Sequence, residues 1–487
     1  MPAHDSHTPG KAFPRVAVIG GGIAGLAAAH HLRELAAERE RPLEVALFEG
    51  GERFGGALET IRRDGFVLET GADSFLSEKP AALRLAERLG LARNVIGTQE
   101  QFRKTFVVRG GRLVEIPEGF SMIAPSYFGP LLRSPLFSAR GKARILLEPL
   151  IPRRRAAGDE SLAAFVTRRL GRETLERVAQ PLAGGIYTAD PAQLSVGATM
   201  PRFVEMERRY GSVIRGLRAA ARSRGGEARG TSGARWSLFV SFRGGIAALS
   251  DALAARIRDS IRAGTPVVAL ARGTDDGRRW RLELPRGASY AADAIIAAAP
   301  AYEVARLIAP HNPNLAGRLG EIGYASVATV NLAFHARAFP RPLRSFGFVV
   351  PLIERRRIIA GSFSSLKFDG RAPADSILAR VFIGGALQSE MMSLDDAAMV
   401  AAAREEFAAL LGVTEAPQFL HVRRWPRSMP QYAVGHLARV AEIEREAAQL
   451  DGFALAGAFL NGVGIPDCVR SGESAAATIF TYVTRDG

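Results

Sequence analysis

The most constraining stretch of the chain is RVAVIGGGIAGLAAAHHL, from Arg15 to Leu32. Its β-branched opening, Arg15 to Gly20, has the character of a short buried parallel strand. The strand enters Gly20-Gly21-Gly22-Ile23-Ala24-Gly25, and an alanine- and leucine-rich helix then runs to about Ala37. Gly20 permits the tight turn, and Gly22 lets a pyrophosphate approach the backbone. Gly25 lets helix and strand pack closely, and the helix N-terminus faces the phosphates. A second strand, EVALFE, ends in Glu49, whose carboxylate can accept from both ribose hydroxyls. A glycine triplet alone says little. The ordered strand, glycines, helix, strand and acid predict a dinucleotide-binding α/β unit.

Beyond Glu49 come GGERFGGALET, with Arg53, Gly55, Gly56 and Ala57, and FVLETGADSF, with Gly71. The Glu-x3-Arg-x-Gly-Gly pattern resembles the extended FAD signature of the glutathione-reductase-like flavoproteins. On that resemblance the dinucleotide is FAD rather than NAD.

A second device of the same kind stands near residue 460. FALAGAFLNGVGIPDCVRSGESAAATIF, Phe453 to Phe480, begins as a strand, turns through Gly457, Gly462 and Gly464, and starts a helix near Pro466. Proline suits the first helical turn, where its missing N–H costs nothing. Val469, Gly472, Ala476 and Ile479 recur at helical spacing, and their small size lets the helix pass close to a flat group or another backbone. Its N-terminus favours negative charge, such as reduced flavin carries at its pyrimidine end. The device reads as the second half of one flavin site; a glycine-capped packing helix is the alternative. The chain then opens the flavin domain at one end and closes it at the other, with insertions between.

Composition narrows the remainder. With 487 residues, two or three domains are expected. A single cysteine, Cys468, excludes an internal disulfide framework, and the eight histidines show no metal-ligand grouping. No metal is expected. The net charge of +15 is almost wholly arginine, with lysine only at positions 11, 79, 104, 142 and 367. Genome composition, anionic lipid and an acidic substrate each account for that excess; no nucleic-acid signature accompanies it. Met1 to Lys11 reads as a loose polar tail without a signal peptide. No apolar run is long enough to span a bilayer, so the expected location is cytoplasmic or peripheral at the inner membrane face. Monomer and homodimer remain open.

From Arg15 to about Val483 the chain resembles the protoporphyrinogen/coproporphyrinogen oxidase family of the flavin amine-oxidase superfamily. The carrying segments occur in order: VIGGGIAGLAAAHHL, GADSFL (Gly71 to Leu76), SLAAFVTRRLG (Ser161 to Gly171), QPLAGGIYTADPAQLS (Gln180 to Ser195) and SFRGGIAALSDAL (Ser241 to Leu253). RWPRSMPQYAVGH (Arg424 to His436) and AGAFLNGVGIPDCVRSG (Ala456 to Gly472) complete them. The resemblance implies FAD, bound non-covalently, at Gly20, Gly21, Gly22, Ile23, Ala24, Gly25, Glu49, Arg53, Gly56 and Ala57. It further implies Gly71, Ala72, Asp73, Ser74, Val267, Trp425, Ala458, Val463, Gly464 and Ile465. Val267 could read the adenine edge through its backbone or be an ordinary core valine. Where mitochondrial members carry a propionate-binding arginine, this chain has Thr105. The adjacent Arg103 and Lys104 could replace it, or form a solvated basic turn. GADSFLSEK resembles members that favour coproporphyrinogen.

The implied architecture is a Rossmann-type FAD domain built from residues 15–91, 229–300 and 424–483. A helical insertion spans 117–224, and a β-rich substrate domain spans 301–421 with part of 92–116. The stretch 126–155 interleaves Phe128, Leu131, Leu132, Phe137 and Ile145 with Arg140, Lys142, Arg144 and Arg153 to Arg155. It fits either a membrane surface or a core-facing helix pair with a basic outer face. The implied reaction removes hydrogens from a porphyrinogen in three two-electron steps, with oxygen as final acceptor and peroxide as product. No acid/base pair is evident. Alternatives are another amine oxidase or desaturase of the superfamily, and a flavin-free binding protein like the Rab-GDP-dissociation inhibitors.

Overall fold

In the computed structural model, which describes residues 13–156, 158–223, 238–274 and 277–485, five short strands form one parallel sheet. Their order is Ile261–Arg262, Glu44–Phe48, Arg15–Ile19, Ala294–Ala297 and Phe453–Leu455. The first strand shows why it takes the middle. Val16 and Val18 enter one core with the helix Ile23–Glu38, whereas Ala17 and Ile19 enter a second core on the opposite face. Side chains alternate across a strand, so a run apolar at every position needs cover on both sides. Burying each such valine or isoleucine stabilises by about 1.5–3 kcal/mol.

The last helix, Ile465–Thr484, supplies cover on the first face. Val469, Ala475, Ala476 and Ile479 share a core with Ala24, Ala27 and Ala28 of the opening helix. Between a flat group and another backbone, the small-residue face meets a backbone. On the second face lie the antiparallel strands Ala269–Arg272, Trp280–Glu283 and Ser289–Ala292, and the helices Ala301–Ile308 and Pro313–Gly320.

A second sheet of seven strands has the order Phe419–Pro430, Tyr324–His335, Ser376–Gly384, Ala360–Phe363, Gly347–Val349, Thr105–Arg109 and Arg112–Glu115. The helix Asp396–Leu411 packs on it through Met399, Ala403 and Phe407. Two boundaries drawn from sequence move. Helices 301–320 belong with the nucleotide sheet, because Val304, Leu307, Leu315 and Leu319 are buried there. The boundary at 424 falls inside the strand Phe419–Pro430, which pairs along Tyr324–His335.

The helical insertion has its own core, including Leu131, Phe137, Ile145, Leu162 and Phe165. At its centre the Arg169 guanidinium pairs with Glu148, both fully buried, and lies 3.4 Å from Glu207. The core-facing alternative therefore accounts for much of 126–155. Lys142 and Arg144 donate to backbone carbonyls of Leu132 and Arg169, while Leu132, Leu147 and Leu150 stay exposed. Among the described residues no helix is long and apolar enough to cross a membrane. The tail Met1 to Lys11, and the borders placed at 224 and 229, lie outside the described residues.

Candidate active site

The two glycine turns open onto one cavity of about 600 Å³. Gly20, Gly22, Ile23 and Ala24 line it from the opening turn, and Ala458, Val463 and Ile465 from the closing one. Glu49, Gly56, Ala57, Ala72 and Val267 complete the predicted residues in its wall. The opening helix begins at Gly22 and the closing helix at Gly464, neither with a side-chain cap. The opening helix thus presents unsatisfied N–H groups at its start; at the closing one Pro466 has no N–H, and the Asp467 and Cys468 N–H groups bond the Gly464 carbonyl at 2.9 and 3.0 Å, which leaves that of Ile465.

Sequence and local geometry agree at the glycines that matter most. A Cβ on Gly25 would lie 1.9 Å from the Gly20 carbonyl oxygen, so the helix can meet the strand only without a side chain. A Cβ on Gly22 meets nothing within 4 Å; the space there is open and not filled by the fold. Glu49 accepts from Gly21 N–H at 2.7 Å and Gly51 N–H at 2.8 Å, which fixes the carboxylate at the cavity edge.

Other predicted residues support the wall without lining it. Arg53 donates to the carbonyls of Phe54 at 3.0 Å and Leu58 at 3.2 Å and also bonds Gly56, holding that turn closed. Trp425 donates from Nε1 to the Thr70 carbonyl at 2.8 Å, tying the substrate sheet to the segment that contains Gly71. Gly21 and Gly464 sit between lining residues, and Gly25 directly follows one, Ala24. Val267 is packed in the second core and also lines the cavity, and its carbonyl accepts from Arg306 at 3.3 Å. Tyr324, Met429 and Arg306 also line the cavity and were missed from sequence. Arg306 donates to the Val268 carbonyl at 2.6 Å, and the strand–proline–helix order AIIAAAPAYEVARLI was the available signal.

A second cavity, of about 340 Å³, lies against the seven-stranded sheet. Leu182, Ile186, Phe239, Phe348 and Phe382 give it an apolar wall; Arg103, Thr105 and Lys367 also line it. The predicted pair Arg103 and Lys104 is not brought together. The backbone turns at Arg103, with the Lys104 N–H 2.6 Å from the Phe102 carbonyl, before the strand begins at Thr105, and Arg103 and Thr105 line the cavity. Lys104 turns away to Glu115, 2.9 Å distant on the surface.

A family model described as flavin containing amine oxidoreductase matches residues 23–480. Coproporphyrinogen III oxidase of Propionibacterium freudenreichii is 34% identical, covering 98% of this chain and 92% of that protein. The chain belongs to the porphyrinogen oxidase branch of the flavin-containing amine oxidoreductases. Coproporphyrinogen III oxidase of Bacillus subtilis is 31% identical over 96% of this porphyrinogen oxidase homologue and 98% of its own length. A crystal structure of an Exiguobacterium protein, provisionally assigned as a protoporphyrinogen oxidase, superposes with a TM-score of 0.84 at 30% identity, covering 96% and 98%. The cofactor of this flavin-containing oxidoreductase is FAD. The larger cavity fits it: two uncapped helix starts, an open space at Gly22 and a mainly apolar wall.

The electrostatics of this oxidoreductase concentrate where the two cavities approach. Ala72 lines the larger cavity, and the next residue, Asp73, holds Lys367 of the smaller one. Both Asp73 oxygens lie 2.9 Å from Lys367 Nζ, and Arg380 is 3.1 Å away. Burial pushes the Asp73 carboxyl up, but Lys367, Arg380 and the Ser74 hydroxyl outweigh it and hold the group well below the usual range. Cys468, in the larger cavity wall, is pushed up to about 12 by burial and by Asp467, so it stands as a neutral thiol.

Proposed function

We propose that the chain oxidises a porphyrinogen with non-covalently bound FAD, and that coproporphyrinogen is its preferred substrate. The observation that carries this is the adjacency of a dinucleotide-sized cavity and an apolar, cation-edged one, joined through Ala72 and Asp73. Bound FAD supplies a two-electron acceptor, reoxidised by oxygen to give peroxide. Gly20 to Gly25 and the helix start at Gly22 hold its phosphates, Glu49 its ribose, and the start at Gly464 faces its ring.

The smaller cavity takes the macrocycle. Phe348, Phe382, Leu182 and Ile186 exclude water and orient a reacting carbon. Among the described residues its lining includes no histidine or carboxylate; on this reading the pyrrole protons leave to solvent and the protein's part is positioning. A neutral Cys468 is a poor nucleophile, which supports non-covalent attachment. The test is porphyrin fluorescence and peroxide release from the purified holoenzyme given coproporphyrinogen III or protoporphyrinogen IX under air. Clear preference for the first, with peroxide, is expected. Oxidation of neither overturns the reading.

A further inference from the structure

The geometry points to Lys367 as a specificity-determining residue that receives a carboxylate of the bound macrocycle, with Asp73 as the counter-ion that holds its ammonium ready. This rests on the reading of the smaller cavity as the porphyrinogen site. Three observations carry it. Among the described residues, Lys367 and Arg103 are the cations in that cavity's lining. Arg103 is on the rim, 3.7 Å from Glu100 with both side chains substantially exposed, whereas the Lys367 side chain is only 16% exposed.

Second, the Lys367 stem is fixed. Its ammonium lies 5.6 Å from the Phe239 ring centre and 5.3 Å from that of Phe368, and the Ser74 hydroxyl adds a contact at 3.0 Å. Third, the charges do not balance. Lys367 and Arg380 share one carboxylate, Asp73, leaving one positive charge over in a largely buried group. Arg380 is turned to the Gly71 carbonyl at 2.7 Å and is 4% exposed, so Lys367 is the member that meets the cavity. An incoming carboxylate neutralises the excess, and the low exposure strengthens that attraction. Thr105, in the same wall, cannot supply it.

Coproporphyrin III, which has four carboxylates and is stable in air, is the probe. Flavin-loaded wild type, Lys367→Met and Lys367→Gln would be titrated with it by fluorescence quenching at low and at 0.3 M salt. Loss of the charge should weaken binding about tenfold or more and flatten the salt dependence, with flavin content unchanged. Lys367→Gln keeps a donor for Asp73 and decides the matter should the methionine variant misfold. Wild-type affinity in the variants, or a wild type that does not bind coproporphyrin, overturns the assignment. Failure of the wild type to oxidise either porphyrinogen, with Lys367-dependent binding intact, would instead overturn the proposed reaction alone.

Discussion

A Cβ built on Gly472 would stand 2.1 Å from the carbonyl oxygen of Ala24, and 3.1 Å from Ala28 N. The two glycine devices are thus locked by a backbone contact between their helices. Because both partners line or adjoin one cavity, the contact sets its width. Gly472→Val should destabilise the protein by about 1–3 kcal/mol or more through overpacking, with flavin lost on gel filtration. Thermal melting and the ratio of flavin to protein absorbance measure both.

Gly22 gives the opposite case. Its missing side chain would meet no protein atom within 4 Å, so Gly22→Val should leave the apo-protein's urea midpoint nearly unchanged. Flavin binding should nevertheless fail, since the methyls take the phosphates' place. Reconstitution with FAD after unfolding and refolding checks it: a yellow variant refutes the placement of the pyrophosphate.

The helical insertion should be broken by a single change at its centre. Arg169→Met strips the fully buried Glu148 of its main partner, although Ser212 and the Val213 N–H still reach that carboxylate. An uncompensated buried charge costs about 3–5 kcal/mol. Urea unfolding should show the loss, and replacing Arg169 and Glu148 together by methionine should recover part of it.

Asp73 predicts an acid limb. Its carboxyl in the folded protein lies below the unfolded value of about 3.9, so its pairing stabilises the fold above that pH. The contribution is lost as pH falls through the lower folded value. Urea midpoints at pH 5, 4 and 3 should therefore fall more steeply for wild type than for Asp73→Asn. Parallel curves would contradict the ion pairs with Lys367 and Arg380.

Both glycine turns were readable because each is a local device, in which a few neighbouring positions fix the backbone and so the residue types. The wall between them was not. Tyr324 and Met429 arrive on strands that pair with partners remote in the chain, and pairing of that kind leaves no local spacing. RWPRSMP illustrates the difficulty. Its two prolines carry no strand signal, and Arg427 stands at φ 43°, yet the segment belongs to a strand at the sheet edge. The register shifts between Ala325 and Val327, which pair with Met429 and Trp425, so the irregularity absorbs Pro426 and the edge tolerates it. The Arg103–Lys104 pair failed for a simpler reason. The backbone turns tightly at Arg103, where the Lys104 N–H meets the Phe102 carbonyl at 2.6 Å, and the two side chains part at that turn.

The parallel sheet draws its strands from residues 15, 44, 261, 294 and 453 onward. During synthesis the edge strand Phe453–Leu455 and its covering helix therefore emerge only after both inserted bodies have had time to fold. The flavin site has only one of its two walls until then. Because a ligand that binds only the completed fold draws the equilibrium toward it, flavin capture doubles as proofreading: a chain halted before Phe453 has only half a site with which to grip the cofactor, and is left colourless and open to proteolysis.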